Sequence, residues 1–361
     1  MCILLLTLIV MDNIVIQKTD QGSFYCRSMS QQSIALSALL EKCYPCKQSA
    51  TPAIICPSGM ASISICLNAL LIDNKNEMVN IIRGNELYCD TPRLVRQLHK
   101  IYNFNDYTIN VDNVDEIKNI FDAVVNKQIN ILFLESASNP SGDIFDFAMI
   151  PTLRKKSKKL FVIVDNTWLT HVIFNPFEFD VDIVVTSLTK YYSGGNCIAG
   201  AVICKKKYYG RIYDYLRFNG LHTSPLHCQT VIDNLPKMEE IIIKSSAMTK
   251  LVVESMSHDS RFTIRHSSLT NDPSYSKALQ FYKKVNGETL YPSIISFTVP
   301  LELNDAIKWM KSKNISYETS YGSSNTRFDN WPEQHGDKTL CRLAIGFSDN
   351  VERICHELSL D

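Results

Sequence analysis

Four short apolar runs constrain this fold more than any other feature. They are "INILFLES" (129–136), "LFVIVDNT" (160–167), "VDIVVTSLTK" (181–190) and "IAGAVICK" (198–205). A strand with one face in water alternates apolar and polar side chains, whereas these runs are apolar at almost every position. That pattern predicts strands covered on both faces, as in a parallel sheet between layers of helices. Segments with helical spacing fall between and around them. "SGMASISICLNALLI" reads as a helix capped by Ser58, and "FAMIPTLRKKSKKL" (147–160) as a surface helix whose lysines form a solvated face. The expected class is therefore α/β with a mostly parallel sheet, and ligands of such sheets sit beyond the carboxyl ends of the strands. Those ends carry Glu135, Asp165, and the trio Ser187, Thr189 and Lys190.

After about residue 225 the texture changes. A long helical stretch (about 229–257) leads into mixed segments such as "RFTIRH", "IISFTV", "AIKWMKSKN" and "CRLAIGF", which predict a smaller α+β domain over 226–361. The preceding large domain is expected over 51–225, with 1–50 as an N-terminal extension.

Charge and cysteine content exclude several classes. Lys plus Arg total 37 and Asp plus Glu total 37, so the formal net charge is zero. A nucleic-acid binder needs a positive surplus against phosphates, so none is expected as a partner. The 12 cysteines are too dilute for a disulfide scaffold and sit mostly in apolar runs, which favours buried free thiols in a reducing, cytoplasmic setting. Cys43 and Cys46 form a lone CxxC without the second pair that zinc needs, so no metal is expected. The apolar start "MCILLLTLIVM" is too short to span a bilayer and lacks the basic flank and cleavage site of a signal peptide. A strand or an extension ahead of Met11 is the first reading, export the second, and no membrane partner is expected.

A lysine at a strand end is usually just solvated. Lys190 is flanked by hydroxyls, followed by glycines and matched by a carboxylate on the preceding strand. A lysine amine can condense with an aldehyde, and pyridoxal 5'-phosphate is the common partner. That cofactor asks for an anion at its ring nitrogen, which Asp165 offers; at about 3 Å and an effective dielectric near 20 the attraction is roughly 5 kcal/mol before desolvation. Its phosphate asks for helix N-terminal amides and hydroxyls, here Gly59, Met60, Ser187 and Thr189. Its ring face asks for an aromatic such as Tyr88. Each residue also has a plainer reading: Asp165 as a helix cap, Tyr88 as a half-buried aromatic, Arg342 as a surface ion-pair partner, Gly59 as helix packing.

From about Tyr25 onward the chain resembles the pyridoxal-phosphate enzymes of cysteine and methionine metabolism: cystathionine γ-lyase, γ-synthase and β-lyase, and methionine γ-lyase. "VDNTW", "SLTKY", "SGMAS", "LYCDTPRL", "ESASNPSG", "CRLAIGF" and "TSYGSS" carry the likeness. The resemblance implies the fold type I PLP-dependent transferase fold with a seven-stranded type of sheet. It implies Lys190 as the cofactor lysine and proton carrier, and Asp165 as the ring partner. Ser187, Thr189, Gly59 and Met60 would be phosphate ligands, and Tyr88 would stack on the ring and move protons. Arg342, Asn139 and Ser320 would meet an amino-acid substrate. It further implies that Tyr25 and Arg27, in "YCR", reach from the N-terminal arm to a neighbouring subunit's phosphate, in a homodimer or homotetramer with active sites at the interface.

The expected reaction is carbon–sulfur cleavage or exchange in trans-sulfuration, first of all α,γ-elimination like that of cystathionine γ-lyase. The alternatives are γ-replacement, as in cystathionine γ-synthase or an O-acylhomoserine sulfhydrylase, and a cofactor-binding homologue without turnover. The last arises because "YYSGGNCIAGA" lacks the His and the acid that the family commonly places after its lysine.

Overall fold

The computed structural model describes residues 30–124 and 128–358. The first element among the described residues is helix α1 (Gln31–Cys43), which buries Leu36 and Leu40. Seven strands then build one sheet: β1 (Ala53–Cys56), β2 (Val79–Gly84), β3 (Phe104–Ile109), β4 (Ile129–Glu135), β5 (Leu160–Asp165), β6 (Ile183–Ser187) and β7 (Gly200–Cys204), in the order β1-β7-β6-β5-β4-β2-β3. The segment from β6 to β3 is parallel. β7 runs antiparallel to both β6 and β1, so the fourth apolar run departs from the parallel set. An apolar run records burial on two faces but carries no sign of strand direction.

The alternation along the strands shows why these runs are apolar throughout. Ile131, Phe133, Ile163, Ile183 and Val185 join the core on one face, together with Ile63, Cys66, Leu67 and Leu70 of helix α2 (Gly59–Asp73). Leu132, Leu134, Val162, Val164 and Val184 join the core on the other face, with Leu36 and Leu40 of α1. Continuing the first series by two residues brings Glu135, Asp165 and Ser187 onto the face covered by α2. Three polar side chains thus leave adjoining strand ends in one direction.

Two helix boundaries differ from the sequence reading. The segment expected as one helix over 147–160 is a 3-10 turn (Phe147–Met149) and a helix that stops at Lys156, because the chain must turn into β5 at Leu160. The stretch expected to be helical over about 229–257 is two helices, Pro225–Asn234 and Met238–Ser257, divided by a 3-10 turn at Leu235–Lys237. Pro236 lacks the amide that a continuous helix would need there.

The C-terminal part carries a second sheet. Its central strands are Lys338–Ala344 and Ile294–Val299, antiparallel to each other, with Arg327–Phe328 and Thr263–Arg265 outside them. Val252, Val253, Phe297, Phe328, Leu343 and Ile354 form its separate core. Among the described residues no helix is long and apolar enough to cross a membrane.

At the start of β6, away from the cavity described below, Asp182 is 1% exposed and accepts hydrogen bonds from Arg154 Nη2 (2.6 Å), Val162 N (3.0 Å), Tyr208 OH (3.2 Å) and Lys205 Nζ (3.4 Å). Removing one partner of a buried ionic cluster strands the others without compensation. Asp182→Ala is expected to lower unfolding stability by about 3–5 kcal/mol, read from denaturant titration.

Candidate active site

A cavity of about 320 Å³ opens beyond the carboxyl ends of β4, β5 and β6. Its wall contains Gly59, Met60, Tyr88, Asn139, Asp165, Ser187, Thr189, Lys190, Ser320 and Arg342, every site residue expected from the sequence that lies in the described chain. Tyr25 and Arg27 lie outside the described residues, as does the apolar start. A smaller cavity, about 240 Å³, lies between α1, β1 and the helix Lys206–Phe218, but no lysine is among the residues that line it.

Lys190 stands in the turn after β6. Its Nζ donates a 2.9 Å hydrogen bond to Ser320 Oγ and lies 5.2 Å from the centroid of the Tyr321 ring. Burial, with the Arg342 and Arg327 cations, lowers its pKa below the usual lysine range. Such an amine spends more of its time neutral and nucleophilic. Ser320 holds φ at 98°, a conformation that L residues rarely adopt and that costs on the order of 1–3 kcal/mol. Two residues on, Gly322 sits at φ 79°, and a Cβ there would come within 2.7 Å of Tyr191 N. Only glycine lets this loop press against the lysine backbone and bring Ser320 to the amine.

Asp165 ends β5. Its Oδ1 accepts from Thr167 N (2.9 Å) and Thr167 Oγ1 (2.6 Å), while Thr167 Oγ1 accepts from Ser187 N (2.8 Å). This chain ties the aspartate to the end of β6. Its turn partner explains the cap-like look of "VDNTW", but the carboxylate also faces the cavity. Burial pushes Asp165 up to about 6, the opposing Thr167 bonds notwithstanding.

The phosphate-type donors lie at the start of α2. Ser58 caps the helix by accepting from Ala61 N at 3.1 Å, and the first helical amides, Gly59 and Met60, have no partner further back in the helix. Ser187 lies against them so closely that a Cβ on Gly59 would be 2.8 Å from Ser187 Cβ. Thr189 is more committed than expected: its Oγ1 donates to Ala199 O and accepts from Ala199 N, both at 3.2 Å.

Arg342 arrives from the second sheet. Its Nη1 donates to Asn139 Oδ1 at 2.5 Å, and Asp329 forms an ion pair with its Nη2. The fork is thereby held at a fixed angle, which suits recognition of a carboxylate. Tyr88 stands at the rim, 42% exposed, with its backbone N–H donating to Glu135 Oε1 at 2.5 Å. Burial, together with Cys89 and Asp90, raises the Tyr88 phenol, which keeps it protonated in this chain.

The sequence reading assigned no role to Thr167, Trp168, Tyr321 or Asp329, and noted Glu135 only as a strand end. The first three sit inside motifs already singled out, so their positions were visible while their partners were not. Asp329 lies in no motif; its task follows from lying next to Arg342 after the second sheet forms.

The donor set fits pyridoxal phosphate: an amine for its aldehyde, a half-buried carboxylate for its ring nitrogen, and helix amides beside a hydroxyl for its phosphate. A mostly parallel sheet with this set at its strand ends defines the class of fold type I pyridoxal-phosphate enzymes. The chain belongs to the family described as Cys/Met metabolism PLP-dependent enzyme, whose model matches residues 8–356. It is 26% identical to a cystathionine beta-lyase of Schizosaccharomyces pombe over 92% of this chain and 82% of that protein. It is 34% identical to an L-methionine gamma-lyase of Fusobacterium nucleatum subsp. polymorphum, over 47% of this chain and 40% of that protein. The fold is similar to a cystathionine gamma synthase of Xanthomonas oryzae pv. oryzae solved with aminoacrylate and cysteine, with TM-score 0.80, 19% identity, and coverage of 92% of this chain and 85% of that one.

Proposed function

We propose that this protein cleaves a carbon–sulfur bond of a thioether amino acid by elimination. The observation that carries the reading is the meeting of Lys190, Asp165 and the braced Arg342 fork in one cavity. Pyridoxal phosphate, when bound, supplies an aldehyde for the lysine and a ring that draws electrons away from the substrate α-carbon. Lys190 would hold the aldehyde and afterwards carry the proton of that carbon. Asp165 would keep the ring nitrogen protonated, and Gly59, Met60 and Ser187 would hold the phosphate. Arg342 would grip the substrate carboxylate. Tyr88, as a phenol at the rim, would give a proton to the departing sulfur.

Cleavage of cystathionine on its γ side is the first reading, and cleavage on the β side is favoured by the relative that aligns along most of the chain. The products separate them, since γ cleavage releases cysteine and 2-oxobutyrate, and β cleavage releases homocysteine and pyruvate, each with ammonia. An acylated homoserine supplied with cysteine tests γ-replacement instead. Coloured protein that releases no keto acid from cystathionine or methionine would refute the elimination reading and leave a binding homologue. In the active enzyme, Arg342→Lys is expected to raise KM on the order of 100-fold with a smaller change in kcat, because a point charge replaces a two-pronged contact.

The active unit in this reading is at least a dimer, with Tyr25 and Arg27 of one copy completing the phosphate site of the other. Among the described residues that line the cavity, the cations are Lys190 and Arg342, and in this reading both have other tasks, the aldehyde and the substrate carboxylate. Sedimentation of the purified protein tests this, and a monomer with full activity would exclude it.

A further inference from the structure

Glu135 has no task in the chemistry above, yet it is 9% exposed and lines the cavity. In the parallel register of β4 and β5 it stands directly beside Asp165, on strands about 4.8 Å apart, with both side chains on the α2 face. Two carboxylates so placed, in a site shielded from water, cannot both carry charge at low cost. The groups that face Glu135 are Asp165 from β5, Glu86 and Tyr88 from the segment after β2, Tyr321 from the 319–322 loop, and Arg342 from the second sheet. Arg342 is the only cation in that set, and it already serves Asp329 and Asn139. Glu86 is turned to Ser141, whose N–H it accepts at 3.0 Å. Glu135 itself accepts the Tyr88 amide at 2.5 Å. Burial, and then Asp165, push its pKa well above the usual carboxylate range.

We propose that Glu135 is a positioning residue that works as a neutral carboxylic acid: it fixes the Tyr88 backbone at the rim and leaves Asp165 as the single anion beneath the ring nitrogen. This rests on the cofactor site assigned above. Asp165 needs a negative charge to hold a protonated ring, and an ionised neighbour would compete for that proton. A neutral acid keeps the contact to Tyr88 without competing. The same arrangement makes the enzyme sensitive to base, since ionising Glu135 would place a second charge beside Asp165 and let the two carboxylates compete for the ring-nitrogen proton.

Infrared spectroscopy of the cofactor-loaded protein at about pH 7.5 tests the protonation directly, because a carboxylic acid carbonyl stretch shifts in heavy water and a carboxylate lacks it. The band is expected in wild type and in Asp165→Asn, and absent in Glu135→Gln. Glu135→Gln keeps a carbonyl for the Tyr88 amide, so it should retain the visible cofactor band and keep kcat/KM within about threefold, while Glu135→Ala should lose about tenfold. The fall in activity on the alkaline side should move to higher pH in Glu135→Gln. The proposal is overturned if wild type shows no acid carbonyl, if the band survives in Glu135→Gln, or if Glu135→Gln loses its colour or is impaired as severely as Glu135→Ala. A wild-type protein that binds no cofactor at all would instead sink the site assignment beneath it, and would show before any variant is made.

Discussion

Lys190→Ala is expected to abolish the visible band of lysine-bound cofactor and to lower turnover by roughly 10⁴-fold or more, because it removes both the covalent anchor and the proton carrier. The variant should fold. The amine makes one hydrogen bond, to Ser320, and burial already disfavours its charge. The sign follows from linkage. A lysine whose folded pKa is lowered binds fewer protons when folded than when unfolded, so its charged form weakens the fold below the unfolded pKa. Without cofactor, Lys190→Ala should therefore melt no lower than wild type at neutral pH. Lys190→Arg separates charge from covalency, since a guanidinium keeps the positive charge but cannot form the link, and it should be as inactive as the alanine variant. Absorbance spectra and keto-acid release measure these outcomes. A visible band that persists in Lys190→Ala would assign the cofactor to another lysine.

Asp165→Asn is expected to have opposite effects with and without cofactor. Folding raises this carboxyl from 3.8 to about 6. The folded state then holds its proton more tightly than the unfolded state, so stability falls as pH rises through that window. The ionised carboxylate costs the cofactor-free protein roughly 3 kcal/mol above pH 6. Asparagine removes the charge and can still accept from Thr167. Cofactor-free Asp165→Asn should thus be more heat-stable than wild type above about pH 6, with the gap closing towards pH 4. With pyridoxal phosphate the order should reverse, because only the carboxylate attracts a protonated ring nitrogen. Turnover should fall by about 10³-fold, the equivalent of some 4 kcal/mol out of the contact. Thermal melts at several pH values, each with and without cofactor, check both halves. A variant that gains as much from cofactor as wild type would remove Asp165 from the site.

Much of this architecture is legible in the strands. Ile131 and Phe133 face one core while Leu132 and Leu134 face the other, and that two-sided demand is what a continuous apolar run records. The Ser58 cap is legible as well, because capping is a contact across three residues. Direction is less so: β7 is as apolar as its parallel neighbours and runs the other way. Helix continuity failed at 235–237, where a proline outweighed the surrounding helical pattern. The commitment of Thr189 to Ala199 was also beyond reach, because it depends on how the turn after Lys190 folds back onto the chain leading into β7.

What the sequence alone determined is the kind of chemical group at each strand end and the local geometry that presents it, since caps, turns and two-sided burial are decided within a few residues. What only the tertiary structure decided is which groups meet and in what state of charge. Ser320 reaches Lys190 across 130 residues, and Arg342 reaches Asn139 across 203. Glu135 and Asp165 look alike as letters and differ in acidity because of what buries and surrounds them. Contacts of that range follow from how segments far apart in the chain are brought to one cavity, and the charge on a buried group follows from the sum of its neighbours, neither of which is written in any short stretch of chain.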